Sequence, residues 1–340
     1  AASDVYKRQR IVCTALELKQ LKSIPALDTL LGSFSWKRRA KLRRTSDFRI
    51  ETGRVSTVDK DAFVKDPVNF IRLFVVADEN KAGTAPQVLR QIRSNFRLID
   101  DKLRNDPTAN RLFLKLLMDS RDPEAILRKM NEAGVLGRFI PDFGRVVSMM
   151  QFNMYHHFTV DEHLLRTVGY LSDIERGRYA TEHPVSSEVV RTIDNRRALY
   201  VAALLHDVAK GRDEDHSIAG ARIAREIGPR LGLTDSETET ATWLVEHHLT
   251  MSLFAQSRDL NDPKTIRDFA ELVQSRERLK LLLILTVADI CAVGPGTWTG
   301  WKGQLLRTLY FETEPLLGGG HTELTRTERM ARVQDALRER

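Results

Sequence analysis

Seven side chains in this sequence sit where ordinary packing has little use for them. His163, His206, Asp207, His247, His248 and Asp289 fall within otherwise apolar, helical-looking segments, and His216 follows the Gly211 that closes one of them. Imidazole and carboxylate together suit a borderline or hard divalent ion. A buried carboxylate without a partner is costly, and one held by a metal is not. The adjacent pair His206–Asp207 therefore poses a choice. In one reading a metal ion, or two ions bridged by the aspartate, draws both groups from one rigid helix. In the other, each histidine is a satisfied core or surface residue and each aspartate caps something, which suits His156, His157 and His183 well. Spacing alone leaves both open. Adjacent helix positions lie about 100° apart, so His247 and His248 can border one cleft. With His216 and a bridging Asp207 they would surround a second ion; the alternative is a single ion, with the extra histidines on a substrate phosphate. Lys210 lies one helical turn past His206 and can face the same cleft, binding phosphate, or it is simply a cation favoured at a helix C-terminus. Arg258 is a candidate substrate contact or half of an internal ion pair.

Rigid carriers are needed for these groups. A helix is expected over 159–175 for His163, and a buried one over 196–211, stopped by Gly211. Another spans 234–249, opened by Thr234 and Glu237 at capping-box spacing. An apolar helix at 277–293 is interrupted by Asp289, and a turn leads into an amphipathic helix across 294–314. Upstream, helices are expected over 66–80, with Pro67 in the first turn, over 85–104, with apolar residues at helical spacing, and over 110–120. One more runs over 122–141, where Asp122-Pro123 starts it and Gly134 and Pro141 fall near its end. The stretch 47–59 suits a short hairpin or loop.

The totals agree with a helical protein. At 340 residues the chain makes one large domain or two ordinary ones. Its 42% hydrophobic and 29% charged content excludes a disordered polymer. Only 7% is aromatic and the apolar period is helical, which points to an all-α fold. The net charge of +7 fits a phosphate-bearing or acidic partner. The basic residues are scattered, however, apart from WKRRAKLRR at 36–44, a solvated helix face. No nucleic-acid-reading module is recognisable, so no nucleic acid is expected. Cys13 and Cys291 form no CxxC and suggest reduced cytoplasmic thiols. The apolar run 279–293 is too short for a bilayer and carries Asp289, so no membrane association is expected. The first ten residues lack the apolar segment of a secretory signal.

The pattern His163…His206–Asp207…Asp289 resembles the HD metal-dependent phosphohydrolase superfamily, an all-helical fold. Longer stretches narrow the resemblance: MNEAGVLGRFIPDFGRVVSMMQFNMYHHFTVDEHLLRTV, LLHDVAKGRDEDHSIAGARIA, WLVEHHLTMSLFAQSRDLNDPKTIRDFA and LTVADICAVGPGTWTGWKGQLL. These are similar to the bifunctional uridylyltransferase/uridylyl-removing enzymes that modify the nitrogen-regulatory PII protein. The likeness is firm over roughly 123–320 and extends from about 48, where the sequence looks like those enzymes' linker region. It implies an HD helical bundle at 123–320, after a mostly helical linker region at 11–122. Residues 1–10 would be non-native or disordered, and 321–340 a C-terminal helix or linker. That family's nucleotidyltransferase domain uses a Gly-Ser turn followed by paired acids. Here Gly32-Ser33 leads only to Asp47, and the family's terminal ACT domains have no counterpart, so the sequence reads as a central fragment without transferase activity.

What the resemblance implies is cytoplasmic hydrolysis of the phosphodiester joining UMP to a PII tyrosine, with Mg2+ or Mn2+. One ion would take His163, His206, Asp207 and Asp289; a second would share Asp207 and add His216, His247 and His248. Asp207 and Lys210 would carry the chemistry, with Lys210 and Arg258 on the substrate. A divalent ion lowers the pKa of its water to about 7, and a phenol leaving group, of pKa about 10, needs little protonation. The rival readings are an HD hydrolase of free nucleotides and a non-catalytic regulatory module with a structural metal.

Overall fold

The computed structural model describes residues 47–150 and 158–318. Cys13, Gly32-Ser33, the basic run at 36–44, His156–His157 and the terminal segments 1–10 and 321–340 lie outside the described residues. The fold is all-α apart from one small sheet. In it β1 (Phe48–Glu51) and β2 (Arg54–Thr57) form an antiparallel hairpin with Phe48 opposite Thr57. Thr52 and Gly53 make the turn, both at positive φ. A two-residue strand, β3 (Gly83–Thr84), joins β2 in parallel. The hairpin is one of the two forms expected for 47–59; two residues are too few to carry a legible period, so the third strand gave no sign in the sequence.

Helices α1 (Asn69–Glu79), α2 (Pro86–Ser94), α3 (Pro107–Asp119) and α4 (Pro123–Glu132) complete the first part of the described chain. The single helix expected over 85–104 is divided into α2, a 3-10 turn at Phe96–Leu98 and a short helix at Asp101–Arg104. Local polar competition explains the break. Asn95 Nδ2 donates to the Gln91 carbonyl at 2.9 Å, and the Asp100 carboxylate accepts from the Leu103 amide at 3.1 Å, starting a new turn. The helix expected over 122–141 also divides. It stops before Gly134, where φ is +77°, and short helices follow at Leu136–Phe139 and Pro141–Val146.

The remaining helices of eight residues or more are α5 (Val160–Glu175), α6 (Arg196–Leu205), α7 (His216–Arg230), α8 (Asp235–His247), α9 (Thr250–Ser257), α10 (Pro263–Val273), α11 (Arg276–Val293) and α12 (Gly300–Thr313), with a shorter one at Pro184–Val189. Apolar on nearly every side, α11 is buried from Leu281 to Ala292 save for a partly open Asp289, and α5, α6 and α8 pack around it. It runs unbroken through Asp289, as the single helix expected over 277–293, and an aspartate keeps its backbone hydrogen bond when its carboxylate has partners elsewhere. Helix α8 opens with the expected capping box of Thr234 and Glu237. Helices α7 and α8 approach closely at Gly220, where an added Cβ would stand 2.9 Å from Val245 Cγ1.

Two corrections bear on the site. Helix α6 ends at Leu205, not at Gly211, so His206 and Asp207 project from its C-terminal end rather than from its body. Residues 206–211 form tight turns, with Val208 N–H bonded to the Leu205 carbonyl and Lys210 N–H to that of Asp207, and close on Gly211 at φ +80°. His216, expected in the following loop, is the first residue of α7, behind an Asp215 cap that accepts from Ser217 and Ile218.

Candidate metal centre

Four helices converge on Asp207. His206 ends α6 by a side-chain cap: its Nδ1–H donates at 3.0 Å to the Ala203 carbonyl, which a continuing helix would offer to the amide of Asp207. His248 does the same at the end of α8, with Nδ1 at 2.8 Å from the Val245 carbonyl. A carbonyl can only accept, so in each neutral ring the proton sits on Nδ1 and the Nε2 lone pair faces inward. This is the backbone support that metal-binding imidazoles characteristically have. Sequence reading missed both carbonyls. The only signal is an i−3 spacing that any residue type satisfies.

Around Asp207 Oδ2, His163 Nε2 lies at 3.6 Å and His206 Nε2 at 3.7 Å, and the two nitrogens are 3.2 Å apart. Asp289 Oδ1 stands 2.9 Å from His163 Nε2 and 3.5 Å from His206 Nε2. Around Asp207 Oδ1, His216 Nε2 and His248 Nε2 each lie at 3.6 Å. Ligands about 2.1 Å from a tetrahedral ion are separated by roughly 3.4 Å, so both sets have the spread of ligands around a shared ion. His163, His206 and Asp207 form one metal-competent group; Asp207, His216 and His248 form another.

The second group also supplies a test of fit. Asp207 Oδ1, His216 Nε2 and His248 Nε2 are buried and have no hydrogen-bond partner among the described residues. Three orphaned polar atoms facing one point would be costly unless something occupies it, and two imidazole nitrogens with a carboxylate oxygen are the donor set of a divalent ion. The cluster is dry on one side only. His206 is fully buried, and His163, Asp207 and His248 nearly so, whereas Asp289, Lys210 and His216 are partly open. An accessible flank suits a catalytic site, which keeps a position open, more than a closed structural one.

Electrostatics follow from this packing. Burial alone would raise the Asp207 carboxyl, but His206, His248 and Lys210 outweigh it and hold the group well below the usual carboxylate range. The same holds for Asp289, kept low by His163 and His206. Burial opposes charge on His163, yet Asp289 and Asp207 raise its pKa above the ordinary value. His216, with burial dominant, is lowered. Lys210 Nζ contacts Asp207 Oδ2 at 2.6 Å, which places the expected lysine at the mouth of the cluster.

Two expected site residues are not brought in. His247 does not share the cleft with His248; its ring packs 4.9 Å from Trp243, and Nδ1 lies 3.5 Å from Thr250 Oγ1. The 100° offset that could have opened both rings to one cleft instead turns one toward Asp207 and the other away. Arg258 pairs with Asp268 at 3.4 Å and lies over the Phe254 ring, so its guanidinium is engaged in an internal ion pair. His183, read as a structural histidine, is buried beside Cys291 Sγ at 3.4 Å and Trp298.

Two family models match the chain. The uridylyltransferase GlnD third domain covers residues 48–139, and the HD domain covers residues 160–294. Both metal-competent groups and Asp289 fall inside the HD match, and HD domains are metal-dependent hydrolases. No helix among the described residues is long and apolar enough to cross a membrane.

Proposed function

The chain belongs with the GlnD-type uridylyltransferase/uridylyl-removing enzymes, joining their third domain to an HD domain, and on that premise we propose that it hydrolyses the phosphodiester between UMP and a tyrosine of PII. The observation that carries this reading is the two-faced Asp207. One of its oxygens meets His163 and His206, the other His216 and His248. Mg2+ or Mn2+ is the proposed cofactor, with His163, His206, Asp207 and Asp289 holding one ion and Asp207, His216 and His248 a second. A divalent ion supplies Lewis acidity, bringing a water's pKa toward neutrality and offsetting charge on phosphoryl oxygens.

The chain's own residues do the rest. The Ala203 and Val245 carbonyls fix the rings of His206 and His248 before substrate arrives, so no reorganisation is required at the moment of reaction. Lys210, at the open edge, holds a positive charge beside the phosphoryl group. The leaving phenolate, of pKa about 10, departs with little help from an acid, in keeping with a cluster of ligands and one ammonium. Arg258, half exposed and sharing Asp268 with Lys264, is not needed for this reading.

The deciding experiment incubates the full chain and uridylylated PII with Mn2+ or Mg2+, beside a panel of free nucleotides. Release of UMP from PII, abolished by chelation and by Asp207→Asn, is expected. Turnover of a free nucleotide alone would replace this substrate with the rival one.

A further inference from the structure

Arg166 lies three residues after His163 on α5, so the two side chains leave one helix face with β-carbons about 5 Å apart. Its Nε donates at 3.3 Å to the carbonyl of Ala292, itself three residues past Asp289 on α11. One guanidinium thus bridges the two helices that carry His163 and Asp289, a single turn from both. It lies over the Phe158 ring at 4.1 Å, with the Tyr170 ring at 5.9 Å. Aromatic faces hold the plane of the guanidinium without using its donors.

Among the described residues the rest of its hydrogen-bonding capacity is unused. Several other half-buried arginines of this fold have acid partners: Arg128 has Glu124 and Glu162, Arg196 has Glu175 and Asp119, and Arg212 has Asp142; Arg230, held like Arg166 by a carbonyl and a ring, lies on a helix that carries no Asp289 or His163. Arg166 makes no ion pair among the described residues, and neither of its terminal nitrogens is hydrogen-bonded to one. A cap for the end of α11 would need only the Nε bond. A positioned fork with free donors is instead the geometry that takes a phosphate's oxygens in pairs.

We propose that Arg166 is a second cation for the substrate, donating from Nη1 and Nη2 to a non-bridging oxygen of the phosphodiester while Lys210 approaches from the Asp207 side. The assignment deepens the reading of the site given above and rests on it for the identity of the substrate. It explains why an arginine is spent on a helix end that any donor could cap, and it gives the HD cluster a charge contributed by the same helix as His163.

The test compares the full-length wild-type chain with Arg166→Ala and Arg166→Gln, each loaded with Mn2+ and checked for ion content and melting temperature. Glutamine keeps an N–H donor for the Ala292 carbonyl and removes the charge. The probes are UMP, by titration calorimetry, and bis(p-nitrophenyl) phosphate, a phosphodiester that requires neither PII nor uracil. Both variants should hold their ions, bind UMP about 10- to 100-fold more weakly, and show a raised KM for the diester. UMP affinity within twofold of the wild type in the glutamine variant would reduce Arg166 to a helix cap, whether or not the alanine variant folds. If the wild type cleaves the diester but not uridylylated PII, the substrate assignment fails while the Arg166 comparison still reads out on UMP and the diester.

Discussion

Asp207 and His248 meet at 3.6 Å, Oδ1 to Nε2, both atoms buried and neither hydrogen-bonded. The pair is built by two helix ends of the same design, since His248 caps α8 much as His206, the neighbour of Asp207, caps α6. Each cap spends one ring nitrogen on a backbone carbonyl and leaves the other for the centre.

Asp207→Asn therefore removes the one group shared by both ligand sets while keeping its shape. Ion content should fall for both sites, and turnover should drop more than about 100-fold, beyond what loss of a supporting hydrogen bond costs. Mass spectrometric ion counting beside UMP release reads both; a variant with full ion content and full turnover would exclude the bridging role.

His247 and His248 are neighbours with opposite expected effects. His248→Ala should lose bound ion, because it removes Nε2 from the Asp207 group. His247→Ala should retain ion content and activity, at a stability cost of about 1 kcal/mol for the lost packing on Trp243. Metal titration of the two variants side by side distinguishes them, and equal loss in both would contradict the geometry.

A pH dependence follows from His163 and Asp289. In the ion-free protein the His163 pKa lies above its ordinary 6.5 and that of Asp289 below its ordinary 3.8. The raised histidine gives stability that is full below pH 6.5 and lost as pH rises through its folded value. The lowered carboxylate gives stability present above pH 3.8 and lost as pH falls. The contribution of this pair to the ion-free protein should thus be fullest between about pH 4 and 6.5 and fall toward pH 8, against the opposite slope of the lowered His183, His216 and His247. With Mn2+ the trend reverses above pH 6.5, because ligation requires His163 neutral and releases its proton. Melting curves with chelator and with Mn2+ across pH 5.5–8 check the crossing; parallel curves would argue against ligation by His163.

Gly220→Ala tests the carrier rather than the ligands. The new methyl would stand 2.9 Å from Val245 Cγ1, forcing α7 and α8 apart at a cost of about 1–3 kcal/mol. His216 and His248 ride on those helices, so occupancy of the second ion should fall while His163, His206 and Asp289 keep the first. A stability loss with both ions retained would mean that the helices yield elsewhere.

Much of this protein is legible in the residues themselves. The apolar spacing, the Asp-Pro starts and the Thr234/Glu237 box specify most helices, because those signals act within a few residues. Metal-competent types on apolar segments single out His163, His206, Asp207, His247, His248 and Asp289, with His216 added from just after Gly211, for a related reason: burying such groups is costly without a shared purpose. What the chain alone left open was direction. His247 and His248 are indistinguishable by type and spacing, and only the packing of α8 decides which ring meets Asp207 and which stays on Trp243 of its own helix. The breaks at Asn95 and His206 depend on which side chain wins a particular carbonyl. The bond from Arg166 to Ala292 joins residues 126 positions apart, and contacts at that separation exist only once the helices have packed.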